Sequence, residues 1–251
     1  MVCTENPLIK IENLGTCYNS TWVHKNLNLN IYPDKIISII GASGCGKTTL
    51  MRQILMLEPI TEGNIYLHNE EISNIDIHSK KYRMLISKMG MMFQHGALFG
   101  ALSVLDNVMF PLVEYTNYRK NTIIEIARLK LALTGLPENA YNKYPSEISG
   151  GMLKRTALAR TLALDPQILF LDEPSAGLDP MSAHQLDLLI KELQVSLNLT
   201  IILITHDLHT IQKIADEIIY IGEKKVLFHD TVNSAKKNEQ YKELYEFFNG
   251  P

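Results

Sequence analysis

The 251 residues are 46% apolar and 20% charged, ordinary values for a globular chain with a sizeable core and one large or two small domains. Against 27 Asp and Glu stand 24 Lys and Arg, a net charge of −3, which argues against nucleic acid as a main partner because phosphate neutralisation needs a concentrated basic face. Cys3, Cys17 and Cys45 form neither a CxxC pair nor an even framework, so neither a zinc module nor a disulfide scaffold is expected, and a reducing compartment is.

Residues 1–10 include Glu5 and Pro7 and lack the apolar run of a signal peptide. Leu8, Ile11 and Leu14, then Leu27, Leu29 and Ile31, alternate with polar residues and predict two strands. Residues 35–40 read as a buried strand ending at Gly41, and residues 49–57 as a helix. Met89, Met91 and Met92 read as strand residues packed in a core. The closest approach to a membrane span, residues 97–115, contains Asp106, Asn107, Pro111 and Glu114. It therefore falls short of the roughly 18 uninterrupted apolar residues that a spanning helix needs.

Between residues 103 and 164 the texture turns helical, with Ile123, Ile124, Ala127, Leu131 and Leu133 at helical spacing and a break near Gly135 and Pro137. This predicts a helical lobe, about residues 100–165, inserted between the strands of an α/β core. A helix over 153–164 follows Ser149-Gly150-Gly151-Met152. Two more buried strands, 167–171 and 200–205, end at Asp172 and His206. In an open parallel sheet the carboxyl ends of the strands are where ligands bind. Residues 236–248 read as an amphipathic helix with Tyr241, Leu244, Tyr245 and Phe248 on one side.

Gly41-Ala42-Ser43-Gly44-Cys45-Gly46-Lys47-Thr48-Thr49 fits G-x-x-x-x-G-K-[ST] between a strand and a helix. Glycines let backbone N–H groups close on an anion, the helix N-terminus adds its dipole, Lys47 reaches the β- and γ-phosphates and the Thr48 hydroxyl can ligate Mg²⁺. Asp172 and Glu173, at the tip of a buried strand, supply the acidic partners: one carboxylate for the metal, one to orient or deprotonate the attacking water. His206 is placed to meet a γ-phosphate. Ser149-Gly150-Gly151 opens a second anion-binding helix terminus. One nucleotide does not need two such anchors on one chain, which points to a nucleotide held by another copy.

With these motifs in this order, the sequence resembles the ATP-binding subunit of ABC transporters over nearly its whole length. The resemblance implies an α/β P-loop nucleotide-binding domain, with a RecA-like core, an antiparallel β-subdomain and the inserted helical lobe, as one domain over 1–251. It implies that Tyr18, 29 residues before Lys47, stacks on adenine, that Gln94 is the Q-loop glutamine contacting Mg²⁺, and that Ser149-Gly150-Gly151 is the signature. Asp172-Glu173 is similar to Walker B with its catalytic glutamate, Ala176-Gly177-Leu178-Asp179 to the D-loop, and His206 to the switch histidine. It also implies ATP as substrate, Mg²⁺ as cofactor, an ATP-sandwich homodimer and an integral membrane permease. Met152 stands where the signature usually has Gln, and Met cannot hydrogen-bond a ribose.

Soluble ABC ATPases are the rival class. Ribosome-acting members usually carry two cassettes and DNA-end members a long coiled coil, whereas Ser149 follows Gln94 by only 55 positions. An Fe–S-assembly type remains as an alternative. Gly96-Ala97-Leu98-Phe99 after Gln94, together with Met152, resembles the ATPase of MCE-type (Mla) phospholipid-transport complexes. That implies an MCE-domain substrate-binding protein, a small STAS-type accessory subunit and a peripheral position at the cytoplasmic face of the inner membrane. Leu98, Phe99, Leu102 and Leu105 are expected to offer the permease an apolar surface. Other transporter types, for amino-acid uptake or lipoprotein release, are the alternatives.

Overall fold

Asn19 and Ser20 both have positive φ, 48° and 65°, the backbone of a two-residue hairpin turn whose twist suits the flanking strands. They join β1 (Ile9–Tyr18) to β2 (Thr21–Ile31) in antiparallel register, Tyr18 opposite Thr21. The computed structural model describes residues 6–250; Cys3 and residues 1–5 of the N-terminal stretch lie outside them. β3 (Ile36–Ile40) is buried at all five positions and leads through Gly41 into α1 (Lys47–Ile54). β4 (Glu62–Leu67) pairs with the other edge of β1, and β5 (Glu70–Glu71) extends that antiparallel sheet.

The chain forms two compact units, one of residues up to Tyr82 and from Thr200 onward, the other Arg83–Leu199. It leaves the first within α2 (Lys80–Ile86). The second unit contains β6 (Met89–Met92), α3 (Val104–Tyr115), α4 (Lys120–Leu133), two 3-10 turns at Glu138–Ala140 and Pro145–Glu147, α5 (Gly150–Thr161), β7 (Ile168–Asp172) and α6 (Pro180–Leu197). β6 and β7 are parallel, Met89 beside Ile168. Of the three methionines expected in a core, Met89 and Met92 are buried and Met91 is half-buried. The helical lobe has its own core, in which Val104, Val108 and Leu112 of α3 meet Ile123, Ala127 and Leu131 of α4 and Ala159 of α5.

Back in the first unit come β8 (Thr200–Ile204), α7 (Leu208–Ile214), β9 (Glu217–Gly222), β10 (Lys225–Thr231), α8 (Val232–Lys236) and α9 (Lys242–Asn249). β3 lies between parallel β8 and β9, with β10 antiparallel outside β9. Among the described residues no helix is long and apolar enough to cross a membrane.

Three boundaries and one buried face differ from expectation. The helix expected over 49–57 runs from Lys47 to Ile54, because Gly46 already serves as its left-handed N-cap and Met56, at φ 57°, reverses the chain. The helix expected from 153 begins at Gly150, since the Ser149 hydroxyl accepts from Met152 N–H and caps it there. The helix expected over 236–248 begins only at Lys242, because α8 ends at Lys236 and the Asn238 carboxamide then accepts from the Gln240 N–H in an Asx turn. On α4, Leu133 is exposed while Lys130 is buried, because the Lys130 ammonium reaches the Asp165 carboxylate.

Candidate functional site

In the first unit β3 delivers the phosphate-type loop. A Cβ at Gly41 would lie 2.3 Å from the Ile221 carbonyl oxygen, and one at Gly46, at φ 102°, 2.3 Å from His24 Nε2. Only glycine fits either place. Ala42, Ser43 and Gly44 are exposed, Cys45, Thr48 and Thr49 half-buried. Lys47 is buried, its ammonium donating to Gly41 O at 2.8 Å and Ala42 O at 2.9 Å. An exposed, glycine-hinged backbone before a helix N-terminus, with an ammonium alongside, is a donor set that suits phosphate.

Beneath this loop lies a polar chain that the sequence pattern did not reveal. His24 on β2 is fully buried, and burial lowers its pKa to about 4, so the imidazole is neutral. Thr16 Oγ1 donates to Gln53 Oε1 at 3.1 Å, and Gln53 Nε2 donates to Pro59 O at 3.0 Å. With its proton so used, the Thr16 oxygen accepts from His24 Nδ1 at 3.1 Å, which leaves Nε2 facing Gly46.

Tyr18, at the end of β1, is 43% exposed, and its hydroxyl donates to Glu58 Oε2 at 2.8 Å. Arg52 of α1 donates to the other Glu58 oxygen at 2.9 Å. Burial, then the Glu58 carboxylate, raises the Tyr18 pKa. His206 is exposed just beyond β8. With Gly41, Ala42, Tyr220 and, from α9, Glu243, Leu244 and Phe247, it lines a cavity of about 210 Å³. This unit therefore brings His206 and the start of the loop to one place.

In the second unit Asp172 ends β7 and Glu173 follows, both half-buried. Glu173 has φ 47°, a left-handed backbone that costs a non-glycine residue on the order of 1–3 kcal/mol and persists only where its surroundings hold it. Part of that hold is Lys154 of α5, whose ammonium donates to the backbone carbonyls of Gln94 and, at 3.3 Å, of Glu173. The Gln94 side is exposed. Ser149 and Gly150 are exposed at the start of α5, where a Cβ on Gly150 would sit 3.6 Å from Leu178 Cδ2 and one on Gly151 3.9 Å from Ser182 Oγ. Asp179 caps α6, accepting from the N–H groups of Met181 and Ser182 at 3.1 and 3.0 Å; hydrogen bonding from Ser182 is the main cause of its lowered pKa. This unit thus gathers Gln94 with Glu173, and the Ser149–Gly151 turn with the segment leading into α6.

After Gln94, Gly96 and Ala97 both have positive φ, and Arg160 of α5 fixes that turn by donating to Gly96 O at 2.7 Å and Ala97 O at 2.8 Å. Phe99 is 44% exposed and its ring meets that of Phe110 at 4.8 Å. Leu105 instead packs on the lobe's core and Leu102 is half-buried. Within residues 93–115 the exposed large apolar side chains are Phe93, Phe99, Phe110, Val113 and Tyr115, whereas Leu98, Leu102 and Leu105 are half-buried.

A family model described as "ABC transporter" matches residues 24–176. The chain is 38% identical to the intermembrane phospholipid transport ATP-binding protein MlaF of Haemophilus influenzae over 97% of its own length and 90% of that protein's. It is 33% identical to the glutamine transport ATP-binding protein GlnQ of Escherichia coli over 96% and 98%. With the methionine import ATP-binding protein MetN of Francisella tularensis it shares 39% over 87% of this chain and 63% of that one. Among solved structures it resembles the dimeric cassette MJ0796 in a post-hydrolysis state with ADP and Pi, at 29% identity and a TM-score of 0.80 over 89% of this chain and 98% of that one. It also resembles cbiO1 from Clostridium perfringens, at 31% and 0.82 over 94% and 93%. The α/β fold is that of these ATP-binding cassettes, and the chain belongs to the ABC transporter family, as an ATP-hydrolysing cassette.

Proposed function

We propose that this cassette powers the movement of phospholipid between membranes as part of an MCE-type complex. The observation that carries the reading is the likeness to MlaF, a phospholipid-transport ATPase, along 97% of the chain. The turn at Gly96 and Ala97 fixed by Arg160, and the exposed aromatics beside it, support it by offering a permease a shaped apolar surface. The partners are a multi-spanning permease, an MCE-domain substrate-binding protein and a STAS-type subunit, with the cassette peripheral at the cytoplasmic face of the inner membrane.

In this reading the Gly41–Thr49 loop binds the ATP phosphates, Tyr18 stacks on adenine, Glu173 takes the proton of the attacking water and His206 contacts the γ-phosphate. Thr48, Gln94 and Asp172 would hold Mg²⁺, and a hydroxyl, an amide and one carboxylate suit an ion that takes few protein ligands and completes its shell with phosphate and water. Bound there, Mg²⁺ neutralises charge on the transferring phosphate. Ser149, Gly150 and Asp179, exposed on the single chain, and the half-buried Gly151 would face the nucleotide of a second copy, as in a dimer such as MJ0796 forms. ATP closes that dimer, hydrolysis reopens it, and the Gln94 segment passes the motion to the permease.

Amino-acid import is the second reading, favoured by the likeness to GlnQ and MetN. Affinity purification of the full chain in detergent separates the two. A permease recovered with an MCE-domain protein and bound phospholipid is expected; an amino-acid permease in its place overturns the lipid assignment.

A further inference from the structure

Lys154 is a lysine with only 7% of its surface exposed, on a helix whose neighbouring buried positions are Thr156, Ala157, Leu158 and Ala159. A buried ammonium is costly unless its protons are taken up by acceptors. Burial lowers the Lys154 pKa, and the nearby charge of Glu173 opposes that shift. The named acceptors are two backbone carbonyls 79 positions apart in sequence, those of Gln94 and Glu173. Gln94 follows β6 and Glu173 follows β7, two parallel strands paired from Met89–Ile168 to Met92–Leu171. The ammonium therefore joins the two chain segments just beyond the carboxyl ends of a strand pair, where the pair itself no longer binds them to each other.

We propose that Lys154 is a positioning residue for ATP hydrolysis, its ammonium tying the Gln94 segment to the backbone of Glu173 and so fixing where the Glu173 carboxylate stands. The proposal rests on the reading of Glu173 as the base. A carbonyl held by an ammonium cannot rotate with its peptide, and rotation of the Glu173–Pro174 peptide would swing the side chain whose φ is already in the left-handed region. The same tie makes any displacement of the Gln94 segment a displacement of Glu173.

The test uses the full chain and four forms: wild type, Lys154→Met, Glu173→Gln and the double variant. Met matches the lysine stem in bulk and donates nothing. Lys154→Met is expected to lower kcat about tenfold or more while the equilibrium affinity for ATP stays within about threefold. In the Glu173→Gln background the same change is expected to lower the residual rate no more than about twofold, because a residue acting only through Glu173 has nothing left to position. Should Lys154→Met not fold, Lys154→Gln, which keeps one shorter neutral donor, takes its place, with a kcat loss of at least about threefold and the same lack of effect beside Glu173→Gln. A wild-type kcat in the folded variant, an equal loss of ATP affinity and kcat, or an equal loss in both backgrounds overturns the proposal. A wild-type rate from Glu173→Gln alone instead overturns the base assignment, so the two failures are distinct.

Discussion

At the scale of single residues, the candidate site residues are conspicuous in the sequence, and the side chains that support them are not. Asp172, Glu173 and His206 stand at or just beyond the ends of buried strands, where a polar residue after an apolar run is conspicuous, and Lys47 opens the helix after a glycine-rich loop. His24, Thr16 and Gln53 lie within two strands and a helix where a polar residue reads as solvent-facing, yet all three are buried. Only the folded chain shows that they bond to one another. Lys154 and Arg160 were hidden in the same way, as two cations in a helix that reads as partly exposed. His24 gives a pH test. Its pKa falls from 6.5 to about 4 on folding, so between those values the unfolded chain binds more protons and stability falls as pH falls. Over that window the wild type is expected to lose about 3 kcal/mol relative to His24→Leu. Urea unfolding of both proteins at pH 7 and pH 4 measures it, and a difference that does not change with pH would contradict the assignment of a neutral, buried imidazole.

At the scale of elements, strands and helices were readable from apolar spacing, and their ends were set by hydrogen bonds that spacing does not encode. The start of α5 is one case. Ser149 caps Met152 N–H, so Ser149→Ala is expected to cost about 1 kcal/mol of stability, read from the shift of a denaturant midpoint; no shift would remove the cap from the account of where that helix begins. The split between α8 and α9 is another, decided by the Asn238 side chain. Leu244 of α9 is buried with Phe248, Tyr220 and Val232, and Leu244→Ala is expected to cost about 2–5 kcal/mol. Because Leu244 shares a cavity wall with Gly41, Ala42 and His206, ATP turnover is expected to fall with it. Loss of stability with unchanged turnover would separate α9 from the nucleotide site.

At the scale of the whole molecule, the ordered motifs made the family legible, while the apolar surface expected of Leu98, Phe99, Leu102 and Leu105 differs in detail, Phe99 being exposed and the three leucines half-buried. Leu105 turned inward because α3 needs it against the lobe's core, and Phe110, Val113 and Tyr115 face outward instead. Spacing alone did not separate these faces, since α3 is apolar on more than one side. The exposed Ser149 and Gly150 set the expectation that two chains complete each site: specific ATPase activity should rise with protein concentration, and mixing wild type with Ser149→Arg should depress it beyond dilution. The most direct measurement is ATP hydrolysis by wild type and Glu173→Gln, followed with light scattering on the same samples. Wild type should turn over ATP, while Glu173→Gln should bind ATP, accumulate as a dimer and hydrolyse at least about a hundredfold more slowly. Near-equal rates from the two proteins, or concentration-independent hydrolysis by a monomer, would contradict a two-chain ATPase that uses Glu173 as its base.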